Sequence, residues 1–161
     1  MAFDGVVIAN IVYDMNRLLT GGRIYKIYQP EADELLLVVK NNKETLRLSV
    51  SASASLPLRG ERNSEGKGST LKLLIDAGSA NPRMSLADPA FDNPKVPPMF
   101  CMLLRKYISN GRIIEITQPG MERIVEITIE HLNELGDTCR KKMVIEIMGK
   151  HSNIIFIDEK N

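Results

Sequence analysis

Three groups of neighbouring basic side chains in this sequence could bind anions. They are Arg105 with Lys106, Arg140 with Lys141 and Lys142, and Lys150 with His151. If the fold brings two of these groups together, they could hold phosphates, because affinity for a nucleic-acid backbone grows with each phosphate charge that is neutralised. A single group is more typical of a solvated surface, and the sequence does not show whether the groups meet.

Another charged pair, Glu122 and Arg123, stands at the start of an apolar strand pattern. Arg123 is in phase with Val125, Ile127 and Ile129 on the apolar side of that pattern. An arginine at the end of such a row normally lays its aliphatic stem over apolar atoms and exposes its head, and spacing alone favours this structural role. The alternative is a guanidinium held in place for a phosphate or a base, with the acidic neighbour orienting it.

The segment 146–158, EIMGKHSNIIFID, places glycine, lysine, histidine and serine in a short connection between two apolar runs. Such a short connection predicts that the flanking strands are antiparallel neighbours. The polar residues of this turn are either simply solvated or face an anionic partner.

Patterns that would indicate catalysis or a metal site are missing from the sequence. We find no phosphate loop, no nucleophile elbow and no histidine–carboxylate spacing of a metal site. His131 and His151 lie on different segments without a partner motif, and a lone histidine is more often structural or solvated. Cys101 lies in the apolar run MFCMLL, which indicates a core position. We therefore expect no metal and no other cofactor.

Composition limits the class of protein further. The chain has 161 residues, of which 43% are hydrophobic and 25% charged, as in an ordinary globular domain. Its net charge is only +1, so nucleic acid or membrane binding would need a local patch rather than a global field. The N-terminus has no basic region before its apolar residues, and no apolar run approaches the roughly 20 residues of a membrane span. We expect a cytoplasmic protein with reduced thiols and no membrane partner.

Two helices are predicted among the elements that must position these side chains. The first has an apolar stripe with spacings of three and four, Asp4 as its N-cap and glycines at 21–22 as its stop. The stripe consists of Val7, Ile8, Ile11, Val12, Met15, Leu18 and Leu19. The second covers 98–110, with Pro98 at the first helical position and Asn110 followed by glycine at the exit.

Strand patterns occupy most of the remaining sequence. They are predicted at 23–30, 34–41, 45–51, 70–77, 83–88, 112–118, 123–132, 140–148 and 153–159. We expect a flexible loop at 52–69, which is polar and glycine-containing, and an extended proline-rich connector at 89–98. Because short turns join the last four strands, the predicted fold class is α+β, an antiparallel β-sandwich or flattened barrel with two helices.

Four blocks of the sequence form a more specific combined pattern. They are FDGVVIANIVYDMN with GGRIYKIYQP, PPMFCMLLRKYI with GRI, ITQPGMERIVEI, and EIMGKHSNIIFID. Together they resemble the N-terminal domain (NFACT-N) of the NFACT family, whose bacterial members are the RqcH-type proteins, formerly labelled fibronectin-binding protein A-like. The resemblance covers residues 1–161 as one domain, except for an insertion at roughly 47–70. It implies that helix-hairpin-helix, coiled-coil and C-terminal RNA-binding segments would follow Asn161.

The resemblance implies a role in translation quality control. Proteins of this family bind obstructed large ribosomal subunits, recruit alanyl-tRNA and support alanine tailing of stalled nascent chains. An Asp-Arg pair of the family engages tRNA, and it corresponds here to Glu122 and Arg123, with glutamate in place of aspartate. The second-rank candidates for phosphate contacts are Arg105, Lys106, Lys150 and His151.

The resemblance also implies a fold like the N-terminal domain of formamidopyrimidine-DNA glycosylases. Those enzymes use an N-terminal proline amine followed by a glutamate, whereas this chain begins Met-Ala-Phe-Asp. Since fold does not carry function, we expect no enzyme activity and no DNA partner, but binding of tRNA and the large ribosomal subunit. The alternative is a fibronectin-binding or other protein-binding, adhesin-like module, against which the lack of an evident export signal argues.

Overall fold

The computed structural model describes residues 4–41, 69–87 and 93–159 of the chain. The helices in these ranges are α1 (Gly5–Leu19) and α2 (Met99–Ile108). The strands are β1 (Arg23–Tyr28), β2 (Glu34–Asn41), β3 (Ser69–Asp76), β4 (Arg83–Leu86), β5 (Arg112–Thr117), β6 (Ile124–Leu132), β7 (Thr138–Glu146) and β8 (Asn153–Glu159). The predicted strand at 45–51 and residues 52–68 of the loop predicted at 52–69 lie outside the described residues. Ser69, the last residue of that predicted loop, is the first residue of β3 instead.

Helix α1 begins and ends where the sequence predicts. The Asp4 side chain accepts a hydrogen bond from the Val7 backbone nitrogen at 2.9 Å, which satisfies one of the free amides of the first turn. After the cap at Thr20, Gly21 has a φ of 84°, a left-handed value that favours glycine. Within the predicted stripe, Ile8, Val12, Met15 and Leu19 are buried, Ile11 and Leu18 pack against the core, and Val7 is exposed.

Helix α2 starts one residue later than predicted, because Pro98 is its cap and not its first helical residue. Its exit follows the prediction. Asn110 takes a left-handed φ of 63°, which asparagine tolerates better than most residues, and Gly111 leads into β5.

The eight strands form one antiparallel sheet in the order β4-β3-β2-β1-β5-β6-β7-β8. Within the described residues, the outer strands β4 and β8 each pair with a single neighbour, so the sheet has two open edges. The α+β class with an antiparallel sheet and two helices is therefore confirmed.

The two halves of the sheet share one hydrophobic core. The inward rows are Leu35, Leu37 and Val39 of β2 and Val125, Ile127 and Ile129 of β6, and each of these side chains is at most 1% exposed. Both rows belong to the same cluster, to which α1 and α2 also contribute. This common core fixes the two helices and the two halves of the sheet relative to one another.

An internal repeat relates the two halves of the sheet. Residues 20–30 (TGGRIYKIYQP) and 109–119 (SNGRIIEITQP) share a glycine, an arginine, two isoleucines, a glutamine and a proline at the same spacing. Each segment leads from a helix into a strand, and the pairing register shifts at the equivalent place in β1 and in β5. The chain therefore uses one helix–turn–strand unit twice.

Backbone hydrogen bonds join the two copies of this unit to each other. The Gly21 nitrogen donates to the Ile113 oxygen at 2.7 Å, and the Asn110 nitrogen donates to the Ile24 oxygen at 2.8 Å. The reciprocal pattern places Arg23 of β1 directly opposite Arg112 of β5. The repeat thus brings together two arginines that are far apart in the sequence.

Candidate nucleic-acid interface

The Glu122–Arg123 pair is presented by the turn at 118–123, between β5 and β6. Gln118 fixes this turn, because its side-chain nitrogen donates to the backbone oxygens of Gly5 at 2.9 Å and Glu122 at 2.8 Å. The Glu122 nitrogen donates to the Pro119 oxygen at 3.1 Å. The turn is therefore held both by its own backbone and by the start of α1.

Close packing against α1 restrains the same turn. A Cβ atom added at Gly5 would overlap the Met121 carbonyl, so only glycine fits at this position of the helix. Gly120 has a φ of 55°, which gives the turn its left-handed step. Both features make the backbone around Glu122 rigid without using its side chain.

The backbone of Arg123 is hydrogen-bonded, whereas its side chain forms no ion pair in the described part of the chain. Its carbonyl oxygen accepts a hydrogen bond from the Ile147 nitrogen at 2.9 Å. Although the residue is in phase with the buried row of β6, it lies before the strand begins at Ile124, and its side chain is exposed. In the described part of the chain, no carboxylate lies within ion-pair distance of the guanidinium. Glu122 is exposed as well.

In the turn at 149–152, two residues stabilise the turn and the other two expose their side chains. Gly149 adopts a left-handed φ of 61°, and the Ser152 hydroxyl accepts a hydrogen bond from the Met148 nitrogen at 2.9 Å. Lys150 and His151 complete a 3-10 turn, and both side chains are exposed. The glycine and the serine therefore build the turn, whereas the lysine and the histidine are available to a partner.

The structure brings these two sites to the same end of the sheet. Glu146, the last residue of β7, pairs with Ile124 of β6 on one side and Asn153 of β8 on the other. Arg123 and the 149–152 turn follow directly beyond that row. Four of the six predicted contact residues, Glu122, Arg123, Lys150 and His151, therefore belong to one region, which we call the turn surface.

The two predicted contacts on α2 differ from each other. Arg105 is half-buried, and its Nε donates to the Ile27 carbonyl at 2.8 Å, while its guanidinium carbon lies 5.7 Å from the centre of the Tyr28 ring. It joins α2 to the end of β1, which is a structural role. Lys106 is exposed and lies beside the ring of Tyr107.

The basic run in β7 is neutralised within the sheet. Arg140 lies 3.6 Å from Glu130, and Lys142 lies 3.0 Å from Glu126 across the strand pair. Lys141 is buried beside the Tyr107 ring, and its ammonium forms an ion pair with Asp158 at 2.5 Å. This run is consequently not an open phosphate site.

Other chemistry in the described residues is limited. Cys101 is fully buried, as its apolar context predicts, and burial raises the pKa of its thiol while Arg105 opposes that rise. Cys139 is also a free thiol. Across the described ranges, no group of three or more metal-ligating side chains comes together, and neither helix is long and apolar enough to cross a membrane.

A second basic region, absent from the predicted site residues, lies where β1 meets β5. Arg23, Lys40 and Arg112 line an open cleft of about 500 Å³ together with Tyr25 and Asn110. We call this the arginine cleft. The signal that reveals it is the repeat of 20–30 at 109–119, because only the pairing of the two copies brings these arginines together.

Known sequences resemble the chain along its whole length. The family model described as NFACT N-terminal and middle domains matches residues 4–58 and 63–161. Rqc2 homolog RqcH of Bacillus subtilis is 36% identical over 158 residues, which are 98% of this chain and 23% of that protein. Rqc2 homolog RqcH of Streptococcus pneumoniae is 37% identical over 161 residues, 100% of this chain and 25% of that protein.

Solved structures with similar folds carry a different kind of name. The N-terminal domain of fibronectin-binding protein PavA from Streptococcus pneumoniae has a TM-score of 0.79 at 35% identity, covering 98% of this chain and 50% of that one. The N-terminal part of the fibronectin/fibrinogen-binding protein from Streptococcus suis has a TM-score of 0.80 at 35% identity, with the same coverage. This chain spans about a quarter of the length of the curated relatives and half of the solved chains. On the family match and the whole-length relatives, the chain belongs to the NFACT family, as its four sequence blocks predicted.

Proposed function

We propose that this chain is a non-enzymatic RNA-binding module of an RqcH-type protein, acting in ribosome-associated quality control. It binds tRNA and obstructed large ribosomal subunits in the cytoplasm, without a cofactor, and supports alanine tailing of stalled nascent chains. The observation that carries the proposal is the exposed guanidinium of Arg123, on a rigid turn at the position where the family resemblance puts its tRNA-engaging pair.

The physical basis of the proposal is preorganisation. Hydrogen bonds from Gln118 and packing at Gly5 hold the backbone of the turn, so binding RNA costs little additional ordering of the backbone at Glu122 and Arg123. Lys150 and His151 extend the surface at the same end of the sheet and add charge to the phosphate contacts. Glu122 is the acidic member of the pair, in place of the shorter aspartate of the family.

A tRNA-binding measurement with charge reversal tests the proposal directly. The purified chain is titrated against fluorescently labelled alanine tRNA at several salt concentrations. The variant Arg123→Glu should bind roughly tenfold more weakly, because it replaces a phosphate-neutralising cation with an anion. The logarithm of wild-type affinity should fall linearly with the logarithm of salt concentration.

Lys95→Glu is the matched control, since Lys95 is an exposed cation in the connector before α2 and outside the turn surface. Its tRNA affinity should stay within about twofold of wild type. Equal binding by Arg123→Glu and wild type, with both variants folded, would remove Arg123 from the proposal. Binding of wild-type chain that does not respond to salt would contradict a phosphate interface altogether.

The names of the structural neighbours support one competing function, the binding of fibronectin. Immobilised fibronectin offers a simple comparison with tRNA in the same buffer. A fibronectin interaction that is tighter than the tRNA interaction and survives Arg123→Glu would favour the adhesin-like alternative. Labelling of surface proteins on intact cells would then show whether the full-length protein reaches the outside.

A further inference from the structure

The arginine cleft concentrates positive charge at the junction of the two halves of the sheet. Among the described residues that line it, three are cations (Arg23, Lys40 and Arg112) and none is a carboxylate. No acidic group in the described ranges lies within 4 Å of these three cations. Glu130 pairs with Arg112 across the strands, but its carboxylate forms its ion pair with Arg140, at 3.6 Å.

This arrangement opposes the usual rule for neighbouring strands. Arg23 faces Lys40 of β2 on one side and Arg112 of β5 on the other. Like charges directly opposite each other destabilise a sheet, whereas opposite charges stabilise it. Three cations placed in one cleft of about 500 Å³ are therefore suited to hold an anion that offsets their repulsion.

An aromatic side chain adds a second binding element to the cleft. Tyr25 sits where the pairing of β1 with β2 shifts its register, and its side chain is 47% exposed. The Lys40 ammonium lies 3.6 Å from the centre of the Tyr25 ring, and the Lys26 ammonium lies 5.3 Å from it. These contacts hold an exposed ring beside the cations.

The second copy of the repeat has neither the tyrosines nor the lysine of the first. The positions that correspond to Tyr25 and Lys26 are Ile114 and Glu115, and Arg112 faces Glu130 where Arg23 faces Lys40. Only the β1–β2 side of the junction therefore combines a tyrosine with lysines. The difference between otherwise similar units points to a ligand and not to a requirement of the fold.

We propose that the arginine cleft binds the phosphate backbone of single-stranded RNA. Arg23 and Arg112 grip phosphate oxygens with their planar guanidinium groups, Lys40 adds charge, and a neighbouring base stacks on Tyr25. This inference rests on the proposed RNA-binding function and adds a second site to it. The cleft and the turn surface lie at opposite ends of β6. Arg112 of the cleft pairs with Glu130, and the chain from residue 130 back to Arg123 spans about 23 Å at roughly 3.3 Å per residue.

The test uses a short fluorescent oligouridine titrated with the chain at several salt concentrations. The double variant Arg23→Ala/Arg112→Ala should reduce the slope of log affinity against log salt by about 1.4, because each lost single-strand phosphate contact removes about 0.7. Lys95→Ala, which removes one exposed cation outside the cleft, is the control and should leave the slope unchanged. If the double variant does not fold by circular dichroism, Lys40→Ala replaces it, with an expected reduction of about 0.7.

Tyr25 distinguishes RNA from a bare polyanion. Tyr25→Ala should weaken oligouridine binding by roughly tenfold, whereas Tyr25→Phe keeps the ring and the affinity. Inorganic polyphosphate, which has no bases, should respond to the arginine substitutions but not to Tyr25→Ala. If Tyr25→Ala leaves oligouridine binding unchanged, or if polyphosphate binds as tightly as oligouridine, the assignment to RNA is wrong.

Arg123→Glu, measured beside these variants, separates the two sites. If Arg123→Glu loses tRNA while the cleft variants keep both oligouridine affinity and salt slope, the cleft proposal fails and the proposed function stands. If the cleft variants lose oligouridine and Arg123→Glu keeps tRNA, the cleft is supported and the role of Arg123 fails. A wild-type chain that binds neither probe overturns both.

Discussion

Whether a basic side chain of this protein is ion-paired depends on the carboxylates that the fold brings within reach of it, and not on its neighbours in the sequence. Lys142 and Arg123 both stand among charged residues, yet Lys142 has Glu126 at 3.0 Å across the strand pair. Arg123 is placed before the strand begins and has no such partner in the described part of the chain. Sequence spacing put Arg123 on the apolar side, and only the position of the strand end exposes it.

Gln118 is expected to act on RNA binding through the turn that it holds. Gln118→Ala removes two hydrogen bonds, to Gly5 and to Glu122, and should lower the free energy of unfolding by about 1–2 kcal/mol. Because the turn then moves more freely, tRNA affinity should also fall, though less than in Arg123→Glu. Both effects are measured on one preparation, by urea denaturation and by tRNA titration.

Gln29, the repeat counterpart of Gln118, provides the matched control for that prediction. Its side-chain nitrogen donates to the Ala32 oxygen at 3.0 Å in the β1–β2 turn. Gln29 lines a pocket with Ser152, but unlike Gln118 it makes no hydrogen bond to the backbone of the 118–123 turn. Gln29→Ala should destabilise the chain without changing tRNA affinity. A parallel loss of tRNA affinity in both variants would mean that general destabilisation, and not the position of Glu122 and Arg123, explains the effect of Gln118→Ala.

Glu34 is expected to make the chain less stable as the pH rises. Burial raises the pKa of its carboxyl above the ordinary 4.5, and Asp76 and Glu31 add to the rise while Arg83 opposes it. The folded chain therefore binds more protons than the unfolded chain just above pH 4.5, so stability falls as pH increases through that window. Glu34→Gln should raise the free energy of unfolding at pH 7, by less than about 1 kcal/mol, and change it little below pH 4.

Urea denaturation at pH 4 and pH 7 measures this effect. The exposed Glu134, in the turn between β6 and β7, supplies a control, since Glu134→Gln changes the net charge equally. The free energy of unfolding at pH 7 minus that at pH 4 should be more positive in Glu34→Gln than in wild type, and should stay at the wild-type value in Glu134→Gln. An unchanged difference in Glu34→Gln would show that its carboxyl contributes nothing to the pH dependence of folding.

At the scale of elements, local signals in the sequence were sufficient for most boundaries. The N-cap at Asp4 and the left-handed exits at Gly21 and Asn110 each depend on residues within one turn of the chain, and each is where the sequence predicts it. β2 and β8 also match their predicted ranges. By contrast, Arg23 and Arg112 lie opposite each other only because β1 pairs with β5. No pattern within one short stretch of the sequence predicts that pairing.

The two glycines that enter β1 and β5 are expected to be equally intolerant of a side chain. An added Cβ at Gly22 would lie 2.6 Å from Val39 Cγ1, and one at Gly111 would lie 2.7 Å from Ile129 Cγ2. Both neighbours are fully buried and cannot move away, so Gly22→Ala and Gly111→Ala should each cost about 1–3 kcal/mol. Thermal or urea unfolding measures the two costs side by side.

Ser109→Ala serves as the control for the glycine substitutions. Ser109 is exposed, lies two residues before Gly111, and should change stability by no more than about 0.5 kcal/mol. A large cost for one glycine and none for the other would contradict the structural equivalence of the two repeat units. A large cost for Ser109→Ala would instead locate the sensitivity in the α2 exit.

At the scale of the whole molecule, the repeat explains both the core and the candidate sites. The inward rows of β2 and β6 occupy equivalent places, and together they close a core that neither half contains alone. The turn surface lies at one end of β6, and the arginine cleft lies at the other. The sequence named the residues of the turn surface as candidates because each lies in a short motif, but it did not predict that the two motifs meet. It missed the arginine cleft because that site requires two segments that are distant in the chain.

Sharing one core, the two halves are expected to unfold together. Leu37→Ala in β2 and Ile127→Ala in β6 each remove a fully buried side chain and should each cost about 2–5 kcal/mol. Because both residues belong to one cluster, either substitution should lower the protection of backbone amides in β2 and β6 alike, as measured by hydrogen exchange. Leu135→Ala, at a position that is 87% exposed, should change neither. If Leu37→Ala lowers amide protection in β2 but not in β6, the halves are separate cooperative units. The arginine cleft at their junction could then open without either half unfolding.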